Sequence, residues 1–430
     1  NALLTYGMET AFFRFFTQEK NKGKVLSTAF ISLFFTSITF LILMLFYSHS
    51  LSGYFGFENP LYFQILILVT VIDTLVVIPY AYLRVINKPV KFAFYKILNI
   101  LIYAFFNLYF LLYVPYAIQK GAYVPKIISS NFEQNPLVLY IFIANLIASL
   151  TTFLLLLPLI FKFKLSFDKK LLSKMLNYGL PIMIGSLAFV TNENLDKLLI
   201  SSYLGKDQMG IYAACYKLGV FMTLYIMAFR LGAEPFFFNH AKEKNAKDTY
   251  AVIMTWFTII GAVFMLIIVV FIDVFSHLLL GNEAYFEALS IVPVILLANL
   301  FLGIYNNLSI WYKLTDKTRY GMYFSILGAI ITIVFNVVFI PKIGFMASAS
   351  ATLLAYTIMA ATSYYFGKKY YSIPYNVKNI FLYLIFSISL SYLSFIFFRG
   401  NLFISILLIF TFIGFVLWNE KTQIKQILKI

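Results

Sequence analysis

The chain of 430 residues is 62% hydrophobic and only 12% charged, with a mean hydropathy of +0.87 and a formal net charge of +16. So little charge excludes an ordinary soluble domain, in which about a quarter of residues are charged, and the apolar runs exceed the length needed to cross a bilayer. A single cysteine, Cys215, and three scattered histidines exclude an intrachain disulfide and a clustered metal site, and because the lysines sit in short loops between apolar runs, membrane topology accounts for them without a nucleic-acid partner.

The sequence starts at Asn1 with a short apolar run that already carries Glu9 and Arg14, and no signal peptide is expected in it. It reads as a fragment that begins inside a transmembrane helix. Apolar segments follow in order at 1–16, 25–48, 61–83, 92–117, 136–161, 176–204, 209–238, 249–273, 285–312, 319–341, 345–366, 377–398 and 400–418. The loops between them alternate in charge. Lysine- or arginine-rich loops contain Lys20, Lys22 and Lys24; Arg84, Lys88 and Lys91; the stretch 162–175; then 239–248, 313–319, 367–378 and the tail after Trp418. The intervening loops, including 49–60, 118–135 and 274–284, hold few or no cations. Of the 33 basic residues, 23 fall on the rich side, five on the poor side and five inside helices. The positive-inside rule places the rich side, with Lys170 and Lys244, in the cytoplasm and Gly53 and Gly281 outside.

Two stretches far apart say nearly the same thing. Gly7–Asn21 reads GMETAFFRFFTQEKN and Arg230–Asn245 reads RLGAEPFFFNHAKEKN. Gly7 answers to Gly232, Glu9 to Glu234, and Glu19-Lys20-Asn21 to Glu243-Lys244-Asn245, with a run of phenylalanines between. Fixed-order similarity of this kind marks an internal repeat, and in a membrane protein two homologous halves. The expected fold is therefore an all-α integral membrane protein. Two six-helix lobes are related by pseudo-two-fold symmetry, followed by two C-terminal helices. That is a 14-helix plan whose first helix is missing from this fragment. The expected divisions are an N-terminal lobe 1–161, a basic linker 162–175, a C-terminal lobe 176–366 and the last two helices with their tail at 367–430. Helices 25–48, 61–83, 92–117 and 136–161 should match 249–273, 285–312, 319–341 and 345–366, and helix 1–16 the latter part of 209–238.

Ionisable residues inside a membrane are costly and mark candidate sites. The bases are Arg14, Lys96, Lys197, Lys217 and Arg230; the acids are Glu9, Asp73, Glu193, Asp196 and Glu234, with Asp273 at a helix end. Arg14 and Lys96 lie close enough to basic loops to snorkel to headgroups. Arg230 lies about eight residues, roughly 12 Å, from the basic turn, and Lys217 is deeper still, so both favour a wet cavity. Thr191–Lys197 contains six polar residues in seven; it is either the wet face of a helix or an external loop that ends the helix near Val190. Glu9 and Glu234 are lumen acids or structural partners of Arg14 and Arg230, and Asp73 is placed to meet a lumen cation or carry a proton.

At the residues LLTYGMETAFFRFF, NYGLPIMIGSLAFVTNENLDKLLISSYLG and GIYAACYKLG, the sequence resembles the multidrug/oligosaccharidyl-lipid/polysaccharide exporter (MOP) superfamily. It most resembles the Wzx-type polysaccharide (O-antigen) flippases. The resemblance implies an inverted-V bundle around a central cavity. It also implies transfer of an undecaprenyl-diphosphate-linked oligosaccharide from the cytoplasmic to the periplasmic leaflet of the bacterial inner membrane, in polysaccharide or lipopolysaccharide biosynthesis. Expected partners are that substrate, membrane lipids and other polysaccharide assembly proteins; no cofactor and no metal is expected. The expected substrate-binding cations are Arg14, Lys217, Arg230 and Lys197, and the coupling or structural acids are Glu9, Asp73, Glu193, Asp196 and Glu234. A MATE-type drug/cation antiporter would rely on the acids instead. A membrane glycosyltransferase or ligase would need a larger external catalytic surface than these loops provide, so the chain reads as a transporter and not an enzyme.

Overall fold

The computed structural model of the chain describes residues 2–54, 59–126, 132, 137–162 and 164–421, apart from the side chains of Asn192 and Glu193. Among the described residues every regular element is helical. Ten stretches are long and apolar enough to span a bilayer, and the chain is a multi-pass membrane protein. Helices dominate because a bilayer offers no water to satisfy exposed backbone groups. The chain divides into two compact units, 1–183 and 184–430, with the division inside one long helix just after Pro181.

The first unit contains α1 (Ala2–Thr5), α2 (Met8–Gln18), α3 (Lys22–Phe46), α4 (Ser48–Tyr54), α5 (Pro60–Leu75), α6 (Val77–Val85), α7 (Pro89–Leu108), α8 (Val114–Lys120), α9 (Leu137–Ile160) and the start of α10 (Lys169–Leu204). A π-helical turn, Tyr109–Tyr113, joins α7 to α8. Polar caps set the helix starts: Asn21 accepts from the Lys24 amide, Asn59 from the Leu61 amide beside Pro60, and Asp168 from the amides of Lys170 and Leu171. Asp168 also meets Lys24 at 2.6 Å. That ammonium, then the Leu171 amide, hold its carboxyl down at about 2.

The second unit contains the rest of α10, α11 (Lys206–His240), α12 (Ala246–Val270), α13 (Ile272–Leu279), α14 (Ile291–Leu308), α15 (Ile310–Leu314), α16 (Arg319–Ile343), α17 (Met346–Tyr370), α18 (Val377–Phe397) and α19 (Leu402–Asn419). Its core is continuous, running from Ile200 through α11, α12, α14 and α17 to Phe412 and Val416. The last two helices pack on α12, where Ser387 and Ser405 donate to the carbonyls of Ala262 and Val270.

The internal arrangement of the two units is the same. In the first, α3 packs on α5, α9 on both α5 and α7, and α2 on α3 and α6. In the second, α12 packs on α14, α17 on both α14 and α16, and α11 on α12 and α15. Each unit also interrupts its α5/α6 or α14/α15 helix near one end. The lysine-rich segments of each unit gather at one end. In the first, Lys20, Lys22, Lys24 and Lys164 share a surface. In the second, Lys247, Lys317 and Lys369 lie over the rings of Tyr371 and Tyr370.

Two segments depart from the sequence expectation, and a third, left open between helix and loop, is decided. Helix 1–16 is broken at Tyr6–Gly7, both at positive φ, because the Gly7 backbone lies directly against that of Gly179. Helix 285–312 starts later, at Ile291, after a 3₁₀ turn at Glu283–Ala288. The polar run Thr191–Lys197 is an uninterrupted part of α10, so the loop reading is wrong. The 1–16 segment is too short to span in this form, and α10 and α17 are too polar to rank among the ten spans. For α17 the reason is packing. Ala347, Ser348, Ala351, Ala355 and Ser363 are buried, and such small residues let neighbouring helices approach closely. Much of loop 118–135 lies outside the described residues.

Candidate functional site: paired charges and a basic cleft

The sequence offered two readings of Glu9 and Glu234, as lumen acids or as partners of the arginines on their own helices. Instead each reaches a base on another helix. In the first unit the Arg84 guanidinium meets Glu9 at 2.5 Å. In the second the Lys313 ammonium meets Glu234 at 2.9 Å. Both acids sit two residues after the repeated glycine, on α2 and α11, and both bases lie on the short helix after the interruption, α6 and α15. The repeat therefore extends from sequence to a shared ion pair. Glu234 lies four residues from Arg230 and can reach it along the helix, whereas Glu9 lies five from Arg14 and does not share its face; in both units the partner helix carries the base that pairs.

The two pairs have different surroundings. The Arg84 side chain is only 7% exposed, while that of Glu9 is 41% exposed. The guanidinium lies 4.8 Å from the Phe13 ring centre and 5.9 Å from that of Phe92, so two aromatic faces cover it. In the second unit both side chains are largely buried, and they form one wall of a small open cleft. The cleft is lined by Arg230, Glu234, Asn306, Asn307 and Lys313, with Ile226, Phe229, Phe237 and Ile310 as apolar walls. Phe229 is fixed by its packing on Phe257, ring centres 4.6 Å apart. Asn307 donates to the Gly303 carbonyl at 3.2 Å.

Arg230 reaches this cleft because of its register. Tyr212, Gly219, Ile226, Glu234 and Phe237 form the buried stripe of α11, and Arg230 lies five helical turns from Tyr212 on the same stripe. It is nevertheless exposed, since the cleft opens there. Lys217 lies on the opposite side of α11, among the exposed Val220, Leu224 and Met227, facing away from the body of the unit. The expectation that Lys217 and Arg230 converge is thus corrected: thirteen residues of helix turn them apart.

The remaining candidates are engaged locally. Arg14 lies against the amide of Gln18, one turn along α2. Lys96 sits 4.4 Å from the Tyr80 ring centre, and Asp73 accepts from the Ser149 hydroxyl at 2.7 Å, bridging α5 to α9. Asp196 is buried and accepts from the Tyr212 hydroxyl at 2.7 Å. Lys197 rests 4.7 Å from the Tyr216 ring centre. The side chain of Glu193 lies outside the described residues. Asp273 meets Arg399 at 2.6 Å. Sequence reasoning missed Arg84 and Lys313, which it counted among loop cations. The repeat offered the one signal, since each glutamate needed an equivalent base. Among the described residues, no cluster of His, Cys, Asp or Glu could hold a metal ion.

Residues 181–338 match the MatE family model, and residues 122–233 match the model described as polysaccharide biosynthesis protein. No curated protein is detectably similar in sequence. Among solved structures, an outward-facing multidrug resistance MATE family transporter of the MOP superfamily is 14% identical. It has a TM-score of 0.70, with 86% of this chain and 83% of that one covered. A MOP superfamily transporter from Pyrococcus furiosus, whose binding pocket of reverse polarity suggests a different function, matches with the same identity, TM-score and coverage. A MATE in the bent conformation is also 14% identical, with a TM-score of 0.70, covering 90% of this chain and 85% of that one. The all-helical fold is that of MATE transporters, and the two family matches, which overlap over 181–233, agree with it in supporting the MOP superfamily.

Proposed function

We propose that the chain is a flippase for an anionic, lipid-linked oligosaccharide, an undecaprenyl-diphosphate carrier being the expected form, moving it from the cytoplasmic to the periplasmic leaflet of a bacterial inner membrane. The observation that carries this reading is a charge imbalance. Of the candidate acids whose side chains are described, each is held by a partner: Glu9 by Arg84, Asp73 by Ser149, Asp196 by Tyr212, Glu234 by Lys313 and Asp273 by Arg399. Arg230, which lines the cleft, has no acidic partner among the described residues and is exposed. A site with a spare cation suits phosphate oxygens, which arginine grips bidentately. The match to the polysaccharide biosynthesis model supports the same substrate class. In this reading the basic ends face the cytoplasm, the diphosphate enters at Arg230 while the polyprenyl tail stays in lipid, and the halves rock to release it outside. An inside-negative potential favours outward movement of each negative charge by about 2.3 kcal/mol per 100 mV.

The second reading, a drug/cation antiporter, is favoured by the MatE match over 181–338. Reconstitution in proteoliposomes separates the two. Flipping of a fluorescent diphosphate-linked oligosaccharide, without dependence on an imposed sodium or proton gradient, supports the first. Gradient-driven efflux of a cationic dye, with no flipping, replaces it with the second.

A further inference from the structure

The helix formed by α7, the π-helical turn and α8 in the first unit is longer than a bilayer requires. It runs over Pro89–Lys120, 32 residues, or about 48 Å at helical rise. The hydrocarbon of a bilayer is about 30 Å thick, which about 20 residues cross. Counted from Lys91, in the basic segment at its start, that crossing ends near Leu112. The far end of the helix therefore stands in the headgroup layer and beyond it, at the lysine-poor end of the unit. Tyrosine crowds this end. Phe105, Tyr109, Tyr113 and Tyr116 follow at spacings of four, four and three, so they share one helix face. Phe105 and Tyr109 are stacked with ring centres 6.5 Å apart, and Tyr109 and Tyr113 with centres 5.4 Å apart. The neighbouring face of the same turn is anchored: Phe110 and Val114 are buried with Tyr140 and Ala144 of α9, so packing holds the ring ladder outward. A second wall comes from the chain after α8. Gly121 is left-handed, φ 66°, and the amides of Gly121 and Ala122 donate to the carbonyls of Ile118 and Ala117. This glycine-capped reversal brings Tyr123 and Pro125 to the ladder, and together they line an open groove of about 910 Å³.

We infer that this groove, built entirely by the first unit, is a carbohydrate-binding subsite that takes a run of neutral pyranose residues. An aromatic face carries negative charge density, and the C–H groups on one side of a pyranose ring carry the complementary positive charge. The tyrosine hydroxyls at the ring edges donate to and accept from sugar hydroxyls. The volume lies within the range of ligand sites, about 300 to 1,000 Å³. Aromatic cages also attract organic cations, but no acid lines this groove, and the charged residues beside it in the chain, Lys120 and Lys126, are basic. A ring that only anchors a helix at the interface needs neither a stacked neighbour nor a second wall. The inference deepens the proposed function, because a glycan carried by a membrane lipid passes at the height of the groove. It rests on that reading for the identity of the ligand, and on the groove itself for the chemistry.

The test is binding of free di- to hexasaccharides of neutral hexoses, 6-deoxyhexoses and N-acetylhexosamines to the purified full chain in lipid nanodiscs, titrated by saturation-transfer NMR. The variants are Tyr113→Ala, Tyr116→Ala, Tyr113→Phe and Phe94→Ala, the last an exposed ring near the basic end of the same helix. The expected result is saturable binding of at least one sugar series that tightens with chain length. It weakens about fivefold in each tyrosine-to-alanine variant, the scale of one lost ring contact, and is unchanged in Phe94→Ala. Tyr113 and Tyr116 are exposed, so these variants remove surface and not core. Binding kept by Tyr113→Phe and lost in Tyr113→Ala assigns the contact to the ring face; equal loss in both assigns it to the hydroxyl. No saturable binding by the wild type, or binding that both alanine variants leave unchanged, overturns the inference. Binding of tetraethylammonium that both alanine variants remove, without sugar binding, overturns it in favour of a cation cage. Flipping of the diphosphate-linked oligosaccharide on the same preparations separates the two claims. Sugar binding without wild-type flipping keeps the subsite and fails the flippase; wild-type flipping without sugar binding does the reverse.

Discussion

The first unit closes its buried charge and the second leaves room around it. Both place a glutamate after the repeated glycine and both meet it with a base from the interrupted helix. In the first the base is roofed by two phenylalanine rings; in the second the pair borders a cleft with a further arginine. A shared pair in two otherwise divergent sequences is best explained as part of the scaffold, holding α2 to α6 and α11 to α15. The added arginine, present once, is where the two units differ in chemistry.

The difference can be broken from the acid side. Glu9→Ala takes one carboxylate from a guanidinium that is almost wholly buried, and losing one partner of a buried pair costs about 3 kcal/mol. Glu234→Ala is expected to cost less, about 1 kcal/mol, because Lys313 has a flexible stem and a wet cleft beside it. Thermal unfolding of the purified variants gives the order; a larger loss for Glu234→Ala would mean that the cleft is not hydrated.

The repeated glycines sharpen the comparison further. At Gly7 the backbone is left-handed, φ 72°, and an added methyl group would collide with the Gly179 carbonyl oxygen. At Gly232 nothing lies within 4 Å of such a group, and the residue is inside a regular helix. Gly7→Ala is expected to destabilise by about 1–3 kcal/mol, an overpacking cost to which the left-handed conformation adds. Gly232→Ala should be neutral or slightly stabilising, as alanine is the better helix former. Equal effects in the same unfolding measurement would contradict the break seen at Gly7.

The smallest effect concerns the link to α10. Asp168, held at about 2 chiefly by Lys24, has its pKa depressed on folding. Its contribution is present above the ordinary carboxylate value of 3.8 and is lost as pH falls through about 2. Asp168→Asn keeps a cap but loses the charge. It should unfold at a slightly lower temperature than wild type at pH 6, and at the same temperature once the pH is below about 2. A gap that persists at the lower pH would assign the effect to something other than this carboxylate.

Much of this was legible in the sequence. Hydropathy marks the spanning segments because lipid admits little else, and the loop charges alternate in step with them. The repeat was visible at Gly7 and Gly232. What could not be read was which base each glutamate meets, because Arg84 and Lys313 sit at helix ends that look like basic loops, whereas α6 and α15 hold them within the continuous stretches Pro60–Val85 and Ile291–Leu314. The opposition of Lys217 and Arg230 was in principle readable, since a separation of thirteen residues cannot share a face. Knowing that Arg230 falls on the buried stripe required knowing which neighbours cover α11. The break before Gly7 follows from contact with Gly179, distant in sequence, which no local pattern encodes.

The central claim is that Arg230, and not the shared ion pair, carries the anion chemistry. The most direct measurement is flipping of a fluorescent diphosphate-linked oligosaccharide by the full chain in proteoliposomes, normalised to reconstituted protein. Arg230→Ala is expected to fall to the protein-free background while still inserting, Arg230→Lys to keep only part of the rate because its ammonium cannot bind bidentately, and Leu224→Ala, on the opposite face, to match wild type. Wild-type flipping by Arg230→Ala would contradict the account and return Arg230 to a structural or headgroup-anchoring role.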